Sequence, residues 1–181
     1  ESVQAVGRDQ DVLALAGPNT KTVDLGGRTV ELIPIPGHHS SHVALYDSQP
    51  DALKAALLAI EKTLGSLASE GLVAATEDVM RRIRTCDSLD EALQGVDYIQ
   101  ESVTEDVEIK RAVFRELDRA APPGAIIASS VSSIPPSEFM ANLTGGARCI
   151  VAHPVNPPHL IPVVEVMLGP ATSEETFQAC C

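Results

Sequence analysis

The run Val151-Ala-His-Pro-Val-Asn-Pro-Pro-His-Leu-Ile-Pro-Val-Val-Glu-Val166 restricts this chain more than any other stretch. Apolar residues from Cys149 to Ala152 deliver His153 to the end of a predicted strand. Pro154, Pro157 and Pro158 then fix φ and remove backbone donors, so regular structure stops there. A second apolar run, Ile161 to Val166, holds one acid, Glu165. A carboxylate among valines is costly to bury unless it meets a partner. The natural partner is His153, twelve residues upstream across a stiff loop. A histidine whose second ring nitrogen is held by a carboxylate is a usual general base. The alternative is a core histidine and a strand-edge glutamate that never meet.

Upstream, the pattern predicts alternating strands and helices. Val43 to Asp47 reads as a short strand ending in an acid. Ser48-Gln-Pro-Asp51 reads as a helix start with Ser48 as cap, and apolar residues at helical spacing run from Leu53 to Leu67. Thr76 to Arg84 reads as a polar helix or loop. Val96 to Val103 is a strand with Glu101 and Glu105 at and past its end. Asp106 caps the next helix, whose period includes Lys110, Val113, Phe114 and Leu117, and Pro122-Pro-Gly124 stops it. Ala125 to Ser130 is a buried-type strand leading into Val131-Ser-Ser-Ile-Pro-Pro. A short helix to Leu143 and the strand Arg148 to His153 follow. Short connections in this order imply parallel pairing and right-handed crossovers. Asp47, Glu101, Glu105, Ser130, Ser132, His153 and Asn156 then collect at the carboxyl ends of the strands, where open α/β sheets bind ligands. An acid at the tip of a second strand is also where such folds hold adenosine ribose hydroxyls.

Composition narrows the partners. A net charge of −12 argues against nucleic acid or an anionic membrane as the main partner. No apolar run is long enough to span a membrane. Cys86, Cys149, Cys180 and Cys181 lack metal-ligand spacing, which suits a reduced, cytoplasmic setting. Residues 1–42 read as a β-rich segment, with a hairpin signal at Gly26-Gly27 and a His38, His39, His42 cluster after Pro36-Gly37. That cluster is either metal-binding or a polar loop. The polar loop is favoured, because no upstream histidine pair completes a zinc site.

Two resemblances follow from these residues. Residues 23–47, with the Gly26-Gly27 hairpin, Pro36-Gly37-His38 and an apolar strand, resemble the metallo-β-lactamase fold hydrolases. Their main His-x-His-x-Asp-His motif is absent, so no complete metal centre is expected. Residues 43–172 resemble the NAD-binding domain of the 3-hydroxyacyl-CoA dehydrogenase family. Within that family the chain resembles the branch containing lambda-crystallin and L-gulonate 3-dehydrogenase. Val-Ala-Leu-Tyr-Asp47, Gln-Glu-Ser-Val-Thr-Glu-Asp106 with Lys110, Ala-Ser-Ser-Val-Ser-Ser133 and His153-Pro-Val-Asn-Pro-Pro with Glu165 carry that resemblance.

The second resemblance implies NAD as cofactor and a 3-hydroxy acid or its CoA thioester as the small-molecule substrate. It further implies that Asp47 binds the adenosine ribose, and that Glu105 and Lys110 line the nicotinamide side. Ser132 and Asn156 would hydrogen-bond the substrate oxygen, His153 would take the hydroxyl proton, and Glu165 would orient it. The family's Gly-x-Gly-x-x-Gly turn is formed by none of the twelve glycines. The expectation is therefore an α/β Rossmann-like parallel sheet in 43–181, incomplete because its first strand, glycine turn and helix are replaced by the β-rich segment 1–42. The family's helical C-terminal domain, which usually builds the homodimer, is expected to be absent. Weak or no NAD binding and turnover by the chain alone would follow. The other readings are a hydrolase fragment and a non-catalytic, crystallin-like protein.

Overall fold

The structure, a computed structural model, describes residues 43–73, 76–158, 160–161 and 163–181. The expected β-rich segment 1–42, with His38, His39 and His42, lies outside the described residues.

Strand β1 (Val43–Leu45) is followed by helix α1 (Pro50–Ser69), α2 (Thr76–Met80), β2 (Ile83–Thr85), α3 (Leu89–Ala92), β3 (Tyr98–Glu101), α4 (Val107–Ala120), β4 (Ile126–Ser129), β5 (Cys149–Pro154), β6 (Val164–Leu168) and α5 (Glu174–Cys180). Among the described residues these strands form two ladders, β1-β2 and β3-β4-β5-β6. β1 pairs parallel with β2, β3 with β4, and β4 with β5. Only β6 runs the other way, against β5. The connection from Pro154 to Val164 is too short for a parallel crossover, which takes a dozen or more residues and usually a helix.

The alternation of strand side chains divides the interior. Ile99, Ile127, Cys149 and Val151 face one way, against Phe114 and Leu117 of α4, and share that cluster with Ala44 of β1. Phe114 and Leu117 fall at helical spacing and have no exposed surface. Phe114 meets Phe139 edge to face, with ring centroids 4.9 Å apart. Tyr98, Ile126, Ala128, Ile150 and Ala152 face the other way, toward Phe177 and Cys180 of α5. Val43 and Leu45 pack on Ile60 and Leu64 of α1.

The helix ends follow their sequence signals, with one exception. Asp106 caps α4 by accepting from the Ile109 amide at 3.0 Å. At the end of α1, Gly71 takes φ +72°, and the amides of Gly71 and Leu72 return to the carbonyls of Ala68 and Leu67. That is the Schellman arrangement, which needs a left-handed residue at this point. The exception is the start of α1. Its cap is Gln49 rather than Ser48, with no side-chain hydrogen bond, and Pro50 opens the helix. The Gln49 amide instead donates to Oδ1 of Asp47 at 2.7 Å. Two further expectations are corrected. Ile83–Thr85, read as part of a polar helix or loop, is a strand beside β1. The helix expected from Pro135 to Leu143 is a single 3-10 turn, Pro136–Glu138. The apolar run Ile161 to Val166 becomes a strand only from Val164 onward.

Candidate active site

His153 stands near the end of β5, and the antiparallel register sets it directly across from Glu165 of β6. Nδ1 of His153 lies 2.8 Å from Oε2 of Glu165. A carboxylate only accepts, so Nδ1 carries the proton of this bond, and in the neutral ring Nε2 keeps a lone pair. The His153 side chain is 23% exposed, which leaves it open to a ligand, and that of Glu165 is 66% exposed. The expected dyad is thus formed, through strand pairing that the spacing alone did not specify.

A second set of contacts joins the loops after β3 and β4. Oε1 of Glu105 accepts from the amides of Ser132 and Ser133 at 3.0 and 2.8 Å, and from both of their hydroxyls. Partial desolvation is the largest single influence on Glu105 and favours its protonated form. The donors on Ser133 and Ser132, with the Lys110 ammonium nearby, together outweigh it, so the carboxyl is held below its ordinary value. Among the described residues no direct hydrogen bond joins Ser132 or Asn156 to His153. Asn156 lies exposed in the loop three residues after His153.

Lys110 lies on the apolar face of α4, where its helical period places it, and is turned toward Glu101. It is 1% exposed, and its Nζ lies 2.9 and 3.2 Å from the two carboxylate oxygens of Glu101, itself fully buried. The same ammonium donates to the Val103 carbonyl, and Glu101 accepts from the Val103 amide at 2.6 Å and the Ser129 hydroxyl at 2.6 Å. The pair therefore clamps both backbone groups of Val103, at the root of the loop that presents Glu105. Sequence reading put Glu101 at the ligand edge but gave it no partner. The signal available was a lysine on the apolar face of α4, one turn before Phe114.

Asp47 follows β1, half-buried at the same carboxyl edge. One of its oxygens is engaged by the Gln49 amide, and the other makes no hydrogen bond among the described residues. A carboxylate with one open oxygen at this edge can accept from ribose hydroxyls. Among the described residues, no group of three or more His, Cys, Asp or Glu side chains is placed to hold a metal ion. No helix among them is long and apolar enough to cross a membrane.

A sequence profile described as the 3-hydroxyacyl-CoA dehydrogenase NAD binding domain matches residues 36–181. The chain belongs to this family. It is 39% identical over 137 residues to lambda-crystallin of Oryctolagus cuniculus, which covers 74% of this chain and 43% of that protein. It is 40% identical over 134 residues to L-carnitine dehydrogenase of Oceanobacillus iheyensis, again 74% of this chain and 43% of the relative. The fold is similar to that of the solved 3-hydroxybutyryl-CoA dehydrogenase of Escherichia coli K12, with a TM-score of 0.77 and 28% identity over 90% of this chain and 35% of that one. The chain thus spans less than half the length of these dehydrogenase-family relatives. The α/β Rossmann-like fold with its parallel sheet is shared with them. The resemblance of residues 23–47 to metallo-β-lactamase fold hydrolases finds no support. None of these relatives is such a hydrolase, and the dehydrogenase match already begins at residue 36, inside that segment.

Proposed function

We propose that this chain forms the NAD-binding part of an oxidoreductase that converts a 3-hydroxy acid or 3-hydroxyacyl-CoA to the 3-keto product. The observation that supports it most is the His153–Glu165 dyad at the carboxyl edge of a sheet of the NAD-binding dehydrogenase type. Bound NAD would supply the acceptor for the hydride leaving the carbinol carbon.

The rest of the work falls to side chains of this chain. Nε2 of His153 takes the hydroxyl proton, because Nδ1 already spends its proton on Glu165. The Glu165 carboxylate then faces the imidazolium as it forms and balances its charge. Ser132 and Asn156 hold the substrate oxygen. Asp47 binds the adenosine ribose, which favours NAD over a cofactor with a 2′-phosphate because like charges repel. Glu105 stays ionised and, with the serine loop it gathers, borders the nicotinamide end. Lys110 serves that end through Glu101 and Val103 rather than by touching the cofactor. The free thiols of Cys86 and Cys149 suit a cytoplasmic setting.

The test is NADH binding to the purified chain, followed by nicotinamide fluorescence. Weak but saturable binding is expected, lowered about a further tenfold by Asp47→Ala, a loss in the range for hydrogen bonds to a charged group. NADH should also appear, slowly, when the chain is given NAD with a 3-hydroxy acid or 3-hydroxyacyl-CoA. His153→Asn should lower that rate by roughly 10²–10⁴-fold, the usual share of a general base. No binding up to millimolar NADH would overturn the proposal.

A further inference from the structure

Gln100 is a polar side chain in an apolar place. It belongs to β3 and points into the face built by Tyr98, Ile126, Ala128, Ile150 and Ala152. It is 5% exposed, yet every hydrogen-bonding group of its amide is used. Its Oε1 accepts from the Tyr98 hydroxyl at 2.7 Å. Its Nε2 lies 2.6 Å from Oγ of Ser130 and 3.1 Å from the carbonyl oxygen of Ala152. A carbonyl only accepts, so nitrogen must occupy that side of the amide, and its two protons go to Ser130 and Ala152.

Ser130 Oγ receives from Gln100 and lies 2.9 Å from Ser102 Oγ. Either hydroxyl can donate in that contact; when Ser130 donates, Ser102 is its one acceptor among the described residues. The Ser102 proton is then left without an acceptor among the described residues. Ser102 and Ser130 are half-buried at the carboxyl edge, and Ala152 immediately precedes His153. Burial raises the pKa of Tyr98, so its hydroxyl stays a donor at the head of the series.

We propose that Gln100 is a positioning residue of this site. It directs a one-way series of donors, from Tyr98 through Gln100 and Ser130 to Ser102, that anchors the backbone ahead of His153 and presents the Ser102 hydroxyl as a donor to a ligand carbonyl or carboxylate oxygen. This inference rests on the dehydrogenase reading above. It adds a binding group, Ser102, and a residue that aims it.

The experiment compares wild type with Ser102→Ala, Gln100→Leu and the double variant, all checked for folding by circular dichroism. NADH dissociation constants come from fluorescence, and KM and kcat from NADH formation. If the oxygen belongs to the cofactor, Ser102→Ala weakens NADH binding about threefold to tenfold, the range for one neutral hydrogen bond. If it belongs to the substrate, KM rises by a similar factor while NADH binding is unchanged. In either case Gln100→Leu shows the same loss plus a lower kcat, and adding it to Ser102→Ala causes no further loss of affinity, because both act on one contact. The imidazole proton resonance of His153 Nδ1 should broaden in Gln100→Leu and persist in Ser102→Ala. Lower thermal stability of Gln100→Leu with wild-type binding, kcat and Nδ1 resonance would overturn the inference and leave the dehydrogenase reading standing. A wild-type chain that neither binds NADH nor forms it would overturn both.

Discussion

Glu165 reaches His153 because one residue of strand register separates a pair from a miss. A slip of one position would turn Glu165 to the opposite face, toward Ile150, Ala152 and Phe177, and swing Val164 and Val166 over to the side of His153. Replacing it by Gln keeps the shape and an acceptor for Nδ1–H but removes the charge opposite the imidazolium. Glu165→Gln should therefore lower kcat for hydroxy-substrate oxidation by roughly 100-fold, the lower end of the general-base range. NADH affinity should stay at its wild-type value. A rate close to that of wild type would show that the carboxylate only shapes the loop. Cysteines give a separate check on individual residues. Burial, the largest influence, pushes the Cys149 thiol up to about 12, and it raises Cys86 as well. Both should resist iodoacetamide in the native chain and react on unfolding, whereas exposed Cys181 should react first. Mass spectrometry of the alkylated peptides reads this directly.

Between elements, the main polar tie is the Glu101–Lys110 pair, which fastens α4 to the ends of β3 and β4. Deleting one member of a buried pair leaves the other charge uncompensated. Lys110→Met should destabilise the chain by about 3–5 kcal/mol in urea unfolding. Glu101→Gln combined with Lys110→Met should recover part of that loss, because no lone charge remains. A loss below about 1 kcal/mol for Lys110→Met, the size of a surface pair, would mean that water reaches the ammonium. The α4 cap is smaller in scale, and Asp106→Ala should cost about 1 kcal/mol. The elements themselves were largely legible in advance. Pro50, Asp106 and Pro122 mark ends whose physics is local. β2 was not, because Ile83-Arg-Thr85 is short and half exposed, and only pairing with β1 makes it a strand.

At the scale of the molecule, the doubly wound order is 3-2-1-4-5-6. In it, β2 and β1 take the places 3 and 2, and β3, β4 and β5 take 4, 5 and 6. The central place has no counterpart among the described residues. The loops after β3 and β4 meet at this sheet's carboxyl edge through Glu105, and that junction should depend on pH. The folded-state pKa of Glu105 is depressed, so the unfolded chain binds the extra proton first as pH falls. Its contribution is complete above the unfolded value, about 4.3, and is lost as pH falls through the lower folded value. Amide exchange at Ser132 and Ser133 should be unaffected by this group from neutral pH down to about 5 and lose protection only below that. Loss of protection between neutral pH and that point would contradict the sign. The sequence alone determined the alternation of strands and helices, the proline-stiffened loop after His153, the cluster of polar residues at one sheet edge and the family they resemble. These follow from φ restriction, side-chain period and residue order, all local to the chain. Tertiary structure decided the rest. The reversal of β6 put Glu165 opposite His153, the fold of the β3–α4 loop turned Lys110 inward to Glu101, and three strands brought Gln100, Ser130 and Ala152 together. Each of these joins groups distant in sequence, and their geometry is fixed only when strand register and burial act at once.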